Sequence, residues 1–154
     1  MCLGGNLERL IGARGCYGQL FIRPCGTKVV KVFFNRENEG KTRKEIEAIF
    51  YSEVNAYKKA STHPELSHLV PKFYSTIIVS EGVGEPREFY PDLAYEIDFI
   101  SGHFAPIVCP LIQSESSDYV INLFDSVGLD VSDSAATYSM NGIIQKVVDF
   151  GVKK

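Results

Sequence analysis

Three things are scarce in this sequence: an excess of positive charge, long apolar runs, and cysteines at metal-binding spacing. Its 154 residues carry 16 Lys and Arg against 19 Asp and Glu, a net charge of −3. With no basic field to steer it, a nucleic-acid partner is not expected. No apolar stretch approaches the ~20 residues that span a bilayer, and the opening MCLGGNLERL lacks the basic start and apolar core of a secretory signal. A cytoplasmic protein without membrane attachment is the expectation. Cys2, Cys16, Cys25 and Cys109 form no CxxC pair, and His63, His68 and His103 are scattered. No zinc site is therefore expected, and the thiols are expected to be reduced. Internal repeats and low-complexity segments are also missing. What remains, with hydrophobic residues at 45%, suffices for one globular domain with its own core.

The densest feature is the stretch from Ile11 to Phe33, IGARGCYGQLFIRPCGTKVVKVF. Gly12, Gly15 and Gly18 fall within seven residues, and glycines this close let a backbone turn tightly and expose N–H groups to a ligand. Strands are expected from Leu7 to Ile11, Gln19 to Arg23 and Thr27 to Phe34, with Pro24-Cys25-Gly26 turning the last two into a hairpin. The third strand carries one lysine, Lys31, among Val29, Val30, Val32 and Phe33. Burying it is costly without an anionic partner. The pattern predicts a strand–loop–strand lid over phosphates with Lys31 beneath it.

Arg43 to Ala60 has the clearest helical period. Ile46, Ile49, Phe50, Glu53, Tyr57 and Ala60 recur at three- and four-residue steps and share one face. Glu53 is the odd carboxylate in that stripe and the first candidate partner for Lys31, with Glu45 and Glu47 as alternatives. His63-Pro64 ends the helix. Strands are expected from Leu69 to Val79 and from Leu93 to Ile100, and a second helix from Ser114 to Val127, capped by Ser114 or Ser116 and ended by Gly128. Asn141-Gly142 predicts a two-residue hairpin leading into a strand from Ile143 to Val148. Five strands with one helix inserted after the third predict an α+β fold, an antiparallel sheet with a helix on one face.

Asp149-Phe150-Gly151 follows the last strand directly. The order of features, from glycine-rich loop through strand lysine, helix glutamate, His-Pro turn and hairpin to Asp-Phe-Gly, resembles the protein kinase fold. IGARGCYGQLF looks like the kinase phosphate loop with one extra residue between its first two glycines. VVKVF looks like the strand of the ATP-anchoring lysine. SEVNAYKKASTHPELSHLVPKFY is similar to the end of the αC helix and the turn after it. LAYEIDFISG resembles the strand into the adenine hinge, and NGIIQKVVDFG the last hairpin with its metal-binding aspartate.

The resemblance, covering about residues 7 to 154, implies ATP and Mg²⁺ as cofactors. It further implies a single kinase-like domain, with a five-stranded lobe in 1–100 and a hinge and reduced helical lobe in 101–154. On the phosphoryl-transfer template, Gly12, Gly15 and Gly18 would cover the phosphates, with Tyr17 at the loop tip. Lys31 would hold the α- and β-phosphates, positioned by Glu53. Residues 96–99, among them Glu96 and Asp98, would present hinge backbone groups to adenine, and Asp149 would bind Mg²⁺. Asp133 is the best counterpart of the catalytic base, although Val131 and Ser132 stand where kinases have His and Arg. The second metal ligand, normally asparagine, falls on Tyr138, or on Thr137 if one residue is deleted. Only three residues follow Gly151, so no counterpart of the substrate-binding helices of conventional kinases is expected within this stretch, as in trimmed phage and bacterial-effector kinases. The function implied is a minimal protein kinase transferring the γ-phosphate to a protein hydroxyl, with Ser/Thr the expected acceptor and a host protein among the expected partners. The alternative is a pseudokinase that binds nucleotide or a partner protein without turnover.

Overall fold

The structure is a computed structural model describing residues 6–14, 17–80, 83–107 and 115–153, without the side chains of 11–14 and 115–117. Gly15, Ser114 and the cysteines Cys2, Cys16 and Cys109 of the expectations above lie outside the described residues. The fold is α+β. Strands β1 (Glu8–Arg14), β2 (Gly18–Ile22), β3 (Lys28–Phe34), β4 (Phe73–Ile77) and β5 (Phe89–Asp98) form an antiparallel five-stranded sheet in the order β1-β2-β3-β5-β4. There are two α-helices among the described residues, α1 (Arg43–Ser61) and α2 (Glu115–Ser126). Short strands complete the chain: β6 (Phe104–Pro106), β7 (Leu129–Asp130), β8 (Ala135–Tyr138), β9 (Ile144–Val148) and β10 (Gly151–Val152). Strands β6, β8 and β9 form one small sheet, and β7 pairs with β10. None of the helices described is long and apolar enough to cross a membrane.

Contacts divide the chain into two units, one of Met1–Tyr51 with Phe73–Phe99 and the other of Ser52–Lys72 with Ile100–Lys154. The division falls inside α1. The first unit is organised around β3, buried from Val29 to Phe34. Alternation sends Val30, Val32 and Phe34 to one face, where they join Phe21, Val79, Phe89 and Ala94 in a core. On the other face Phe33 meets Phe50 of α1 edge-on at 5.4 Å and Tyr95 at 6.1 Å. Helix α1 begins with a reciprocal cap: the Glu45 N–H donates to Thr42 Oγ1 at 3.2 Å, and the Thr42 N–H to Glu45 Oε2 at 3.1 Å. Each side chain satisfies a donor that the first helical turn leaves over.

In the second unit α1 ends where the Ser61 hydroxyl donates to Tyr57 O at 2.7 Å. The His63 ring then caps the following 3₁₀ turn, its Nδ1 accepting from the N–H groups of Glu65 and Leu66 at 3.2 and 3.3 Å. Leu69 O accepts the Val147 N–H at 2.7 Å, and Lys146 Nζ donates to His68 O at 2.8 Å, which fastens this turn to β9.

Four expectations are corrected. Leu69 and Val70 are not strand: Pro71 has no N–H to give a ladder and restricts Val70, so β4 starts only at Phe73. Strand β5 starts at Phe89, earlier than Leu93, because Pro91 sits in a register irregularity between β3 and β5 where no ladder donor is missed. The hairpin at Asn141-Gly142 is a three-residue loop. The Gly142 N–H bonds Ser139 O at 3.0 Å, the Ser139 N–H bonds Ile143 O at 2.8 Å, and Gly142 takes the left-handed conformation such loops need. Finally, Cys25 is disulfide-bonded rather than a reduced thiol.

Candidate functional site

Lys31 is 5% exposed although it carries an ammonium group. It lies two residues before Phe33 and so on the sheet face that α1 covers, with Nζ 5.0 Å from the Phe33 ring centroid. Gly18, the third glycine of the loop, is the first residue of β2 and pairs with Phe33. A Cβ placed on Gly18 would stand 2.9 Å from Val32 O, 3.0 Å from Lys31 Cε and 3.1 Å from Lys31 Cγ. Any side chain there would displace the lysine stem or the β3 backbone, so Gly18 is fitted to Lys31. Gly12 lies within β1, in a stretch of shifted register between Arg9 and Arg14, rather than in the loop. Tyr17 precedes β2 and is half-buried.

The glutamates of α1 are sorted by their surroundings. Glu45 closes the helix cap, and Glu47 pairs with Arg43 at 2.8 Å. Glu53 alone of the three is buried, at 8% exposure, on the stripe with Ile46, Phe50, Tyr57 and Ala60.

The carboxylates assigned to the hinge are already engaged within the sheet. Glu96 accepts from Arg23 Nε at 2.6 Å, and its backbone is in register with Val30 on one side and Ser75 on the other. Asp98 accepts from the Tyr74 hydroxyl at 2.5 Å, and the Phe99 N–H donates to Thr27 O at 2.9 Å. Bonding to Asp98, then burial, pushes the Tyr74 phenol from 10.0 up to about 12. The bond favours the protonated phenol, so its contribution to stability is complete below pH 10 and fades as the pH climbs toward 12. In an alkaline titration followed by phenolate absorbance, Tyr74 should ionise near pH 12, and Tyr74→Phe should remove that step.

In the second unit, Asp149 leaves β9 with φ of +59°. A left-handed aspartate costs on the order of 1 kcal/mol, and such residues persist where the surroundings over-determine them. The following side chain, Phe150, is 1% exposed and wedged between Tyr57 of α1 at 4.7 Å and Phe124 of α2 at 5.2 Å. Beyond it, the Val152 N–H donates to Ser52 Oγ at 3.0 Å. Nothing in the sequence pattern marks Ser52, a serine on a helix beside the more conspicuous Glu53.

Asp133 is exposed at the tip of a turn in which the Ser134 N–H and hydroxyl both donate to Val131 O, at 3.1 and 2.6 Å. Beside it is a cavity of about 330 Å³ bounded by Phe104, Pro106, Ser132, Asp133 and Ser134. Asp130, at the start of the same turn, accepts the Ser132 N–H at 2.9 Å, and this bond holds its carboxyl below the usual carboxylate range. Thr137 is buried in β8 opposite Lys146. That position is three residues short of Asp149 along the hairpin, roughly 10 Å at strand rise, so Thr137 is not brought to the metal-binding candidate. The last ladder pair before Asp149 is Ala135 with Val148.

Among the described residues no group of three or more His, Cys, Asp or Glu side chains could hold a metal ion. One carboxylate at a strand exit suits Mg²⁺, which keeps most of its waters and is usually bound by one or two carboxylates together with phosphates. Asp149 fits that description. Compared with known proteins, the chain matches no family model and no curated sequence.

Proposed function

We propose that the chain is a minimal kinase-like phosphotransferase, binding ATP with Mg²⁺ and passing the γ-phosphoryl group to a serine or threonine hydroxyl of a protein. The observation that carries the reading is Lys31: a buried lysine in a central strand, with a glycine fitted against its stem. A buried ammonium favours anionic surroundings, and in this reading the phosphate oxygens of ATP join them. In this reading Lys31 holds the α- and β-phosphates, the buried Glu53 positions it, and Asp149 binds the metal. Magnesium supplies charge neutralisation when bound. Asp133, exposed beside a cavity with room for a side chain, accepts the proton of the attacking hydroxyl. In this reading the protein works in the cytoplasm, its own or a host's.

The pseudokinase reading draws on two observations. Val131 and Ser132 replace the usual His and Arg, and Thr137 is displaced along the hairpin from Asp149. A nucleotide- or protein-binding module without turnover needs neither. Incubation with γ-labelled ATP, Mg²⁺ and a mixture of candidate acceptor proteins separates the two. An active kinase incorporates label, and Asp133→Asn lowers the rate by about 100-fold or more while sparing nucleotide binding. Undiminished labelling by Asp133→Asn would remove that residue from the chemistry. Nucleotide binding with no labelling at all would leave the pseudokinase.

A further inference from the structure

Resting on the kinase-like reading, we infer that Ser52 is a positioning residue for the metal-binding aspartate, acting through a clasp that only glycine at position 151 permits. The Val152 N–H donates to Ser52 Oγ at 3.0 Å. A Cβ built on Gly151 would lie 2.8 Å from that same oxygen, yet 3.9 Å from Ser52 Cβ. The hydroxyl is thus the atom that collides, and the rest of the serine does not. A side chain at 151 would have to swing the hydroxyl aside, and the Val152 N–H would lose its acceptor. Gly151 and Val152 are also the two residues of β10, in register with Asp130 and Leu129 of β7, and the Lys153 N–H donates to Gly128 O at 2.9 Å.

Two anchors therefore hold the chain that directly follows Asp149. Phe150 fills the gap between Tyr57 and Phe124, and Ser52 holds the backbone two residues further on. Fixing the chain on the C-terminal side of a left-handed residue restricts the conformations its backbone can relax into. Ser52 touches no ligand in this scheme. It sets where the Asp149 carboxylate is presented.

The test combines a mutant cycle with a metal titration. Chemical denaturation is measured for the wild type, Ser52→Ala, Gly151→Ala and the double variant. The clasp predicts strong coupling: Gly151→Ala is costly alone, and nearly free once Ser52→Ala has removed the colliding oxygen. Amide exchange at Val152 should quicken in Ser52→Ala. Additive effects with unchanged Val152 exchange would overturn the clasp without any reference to nucleotide. The Mg²⁺ concentration giving half of the ATP-dependent thermal shift should then rise about five-fold in Ser52→Ala, the effect of losing one neutral hydrogen bond. Ser52→Thr, which keeps the hydroxyl, should restore it. A wild-type shift with the same Mg²⁺ midpoint in Ser52→Ala would overturn the positioning role. No wild-type shift would overturn it too, through failure of the kinase-like reading, while the cycle and the exchange still decide the clasp.

Discussion

Phe150→Ala should be the most damaging single truncation in the second unit, lowering stability by about 3–5 kcal/mol. The side chain is 1% exposed, and its ring contacts Tyr57 at 4.7 Å and Phe124 at 5.2 Å. Truncation loses the transfer energy of the ring and opens a hole between two helices, which cannot both close in on it. The contacts add about 0.5–1.5 kcal/mol per aromatic pair beyond area burial, so Phe150→Leu should lose chiefly that part and cost much less. A protein of ordinary stability has only about 5–15 kcal/mol to lose. Urea denaturation should show the midpoint of Phe150→Ala falling well below that of Phe150→Leu. Equal midpoints for the two variants would mean that the ring does not fill a closed site. Asp149 is covalently next to this anchor, so Phe150→Ala should also weaken the response to Mg²⁺ under conditions where the protein remains folded.

Lys31→Met should abolish nucleotide-dependent stabilisation, whichever way the unliganded midpoint moves. At a hundred times its dissociation constant, a ligand bound only by the folded state adds ~2.7 kcal/mol. Methionine keeps an apolar stem of similar length against Gly18 and Phe33, so the packing is largely retained and the loss reports on the ammonium group. The position is central in a buried strand, which makes a solvent-exposed role for the charge untenable. Retention of the full shift in Lys31→Met would move the phosphates elsewhere, or remove them. Gly18→Ala provides a control on geometry: the new methyl meets Val32 O and the Lys31 stem and should weaken the shift with the lysine still present.

The parts of the fold with strong periodicity could be read from the sequence. Of the expected stripe, Ile46, Phe50, Glu53, Tyr57 and Ala60 are buried in α1 and Ile49 is half-buried, because a period of 3.6 over several turns leaves little choice of face. The three central strands are flanked by turn residues and fill with branched and aromatic side chains. What the sequence does not show is short or non-periodic. Strands β6, β7 and β10 have two or three residues each, too few for alternation to show. Pro91 hid the first turnings of β5, and Leu69-Val70 imitated a strand while serving a turn. Lys31 and Glu53 stand out in the sequence as charges among apolar neighbours. Ser52 did not, since a hydroxyl on a helix announces nothing until the backbone of Val152 arrives from a hundred residues away in sequence. Thr137 illustrates the opposite failure: counting residues from Asp133 ignored the hairpin register, which sets the threonine opposite Lys146. The left-handed backbone of Asp149 is likewise a tertiary fact, because aspartate tolerates that conformation without requiring it.

The central proposal is that the chain binds Mg·ATP, with roles for Lys31 and Asp149 that can be tested one at a time. Isothermal calorimetry with ATP tests it directly, first with Mg²⁺ and then with the metal chelated. The account predicts saturable binding of one nucleotide, tighter with Mg²⁺ than without. In Asp149→Ala the advantage of the metal should disappear. No binding heat up to millimolar ATP, with no thermal shift under either condition, would contradict the account.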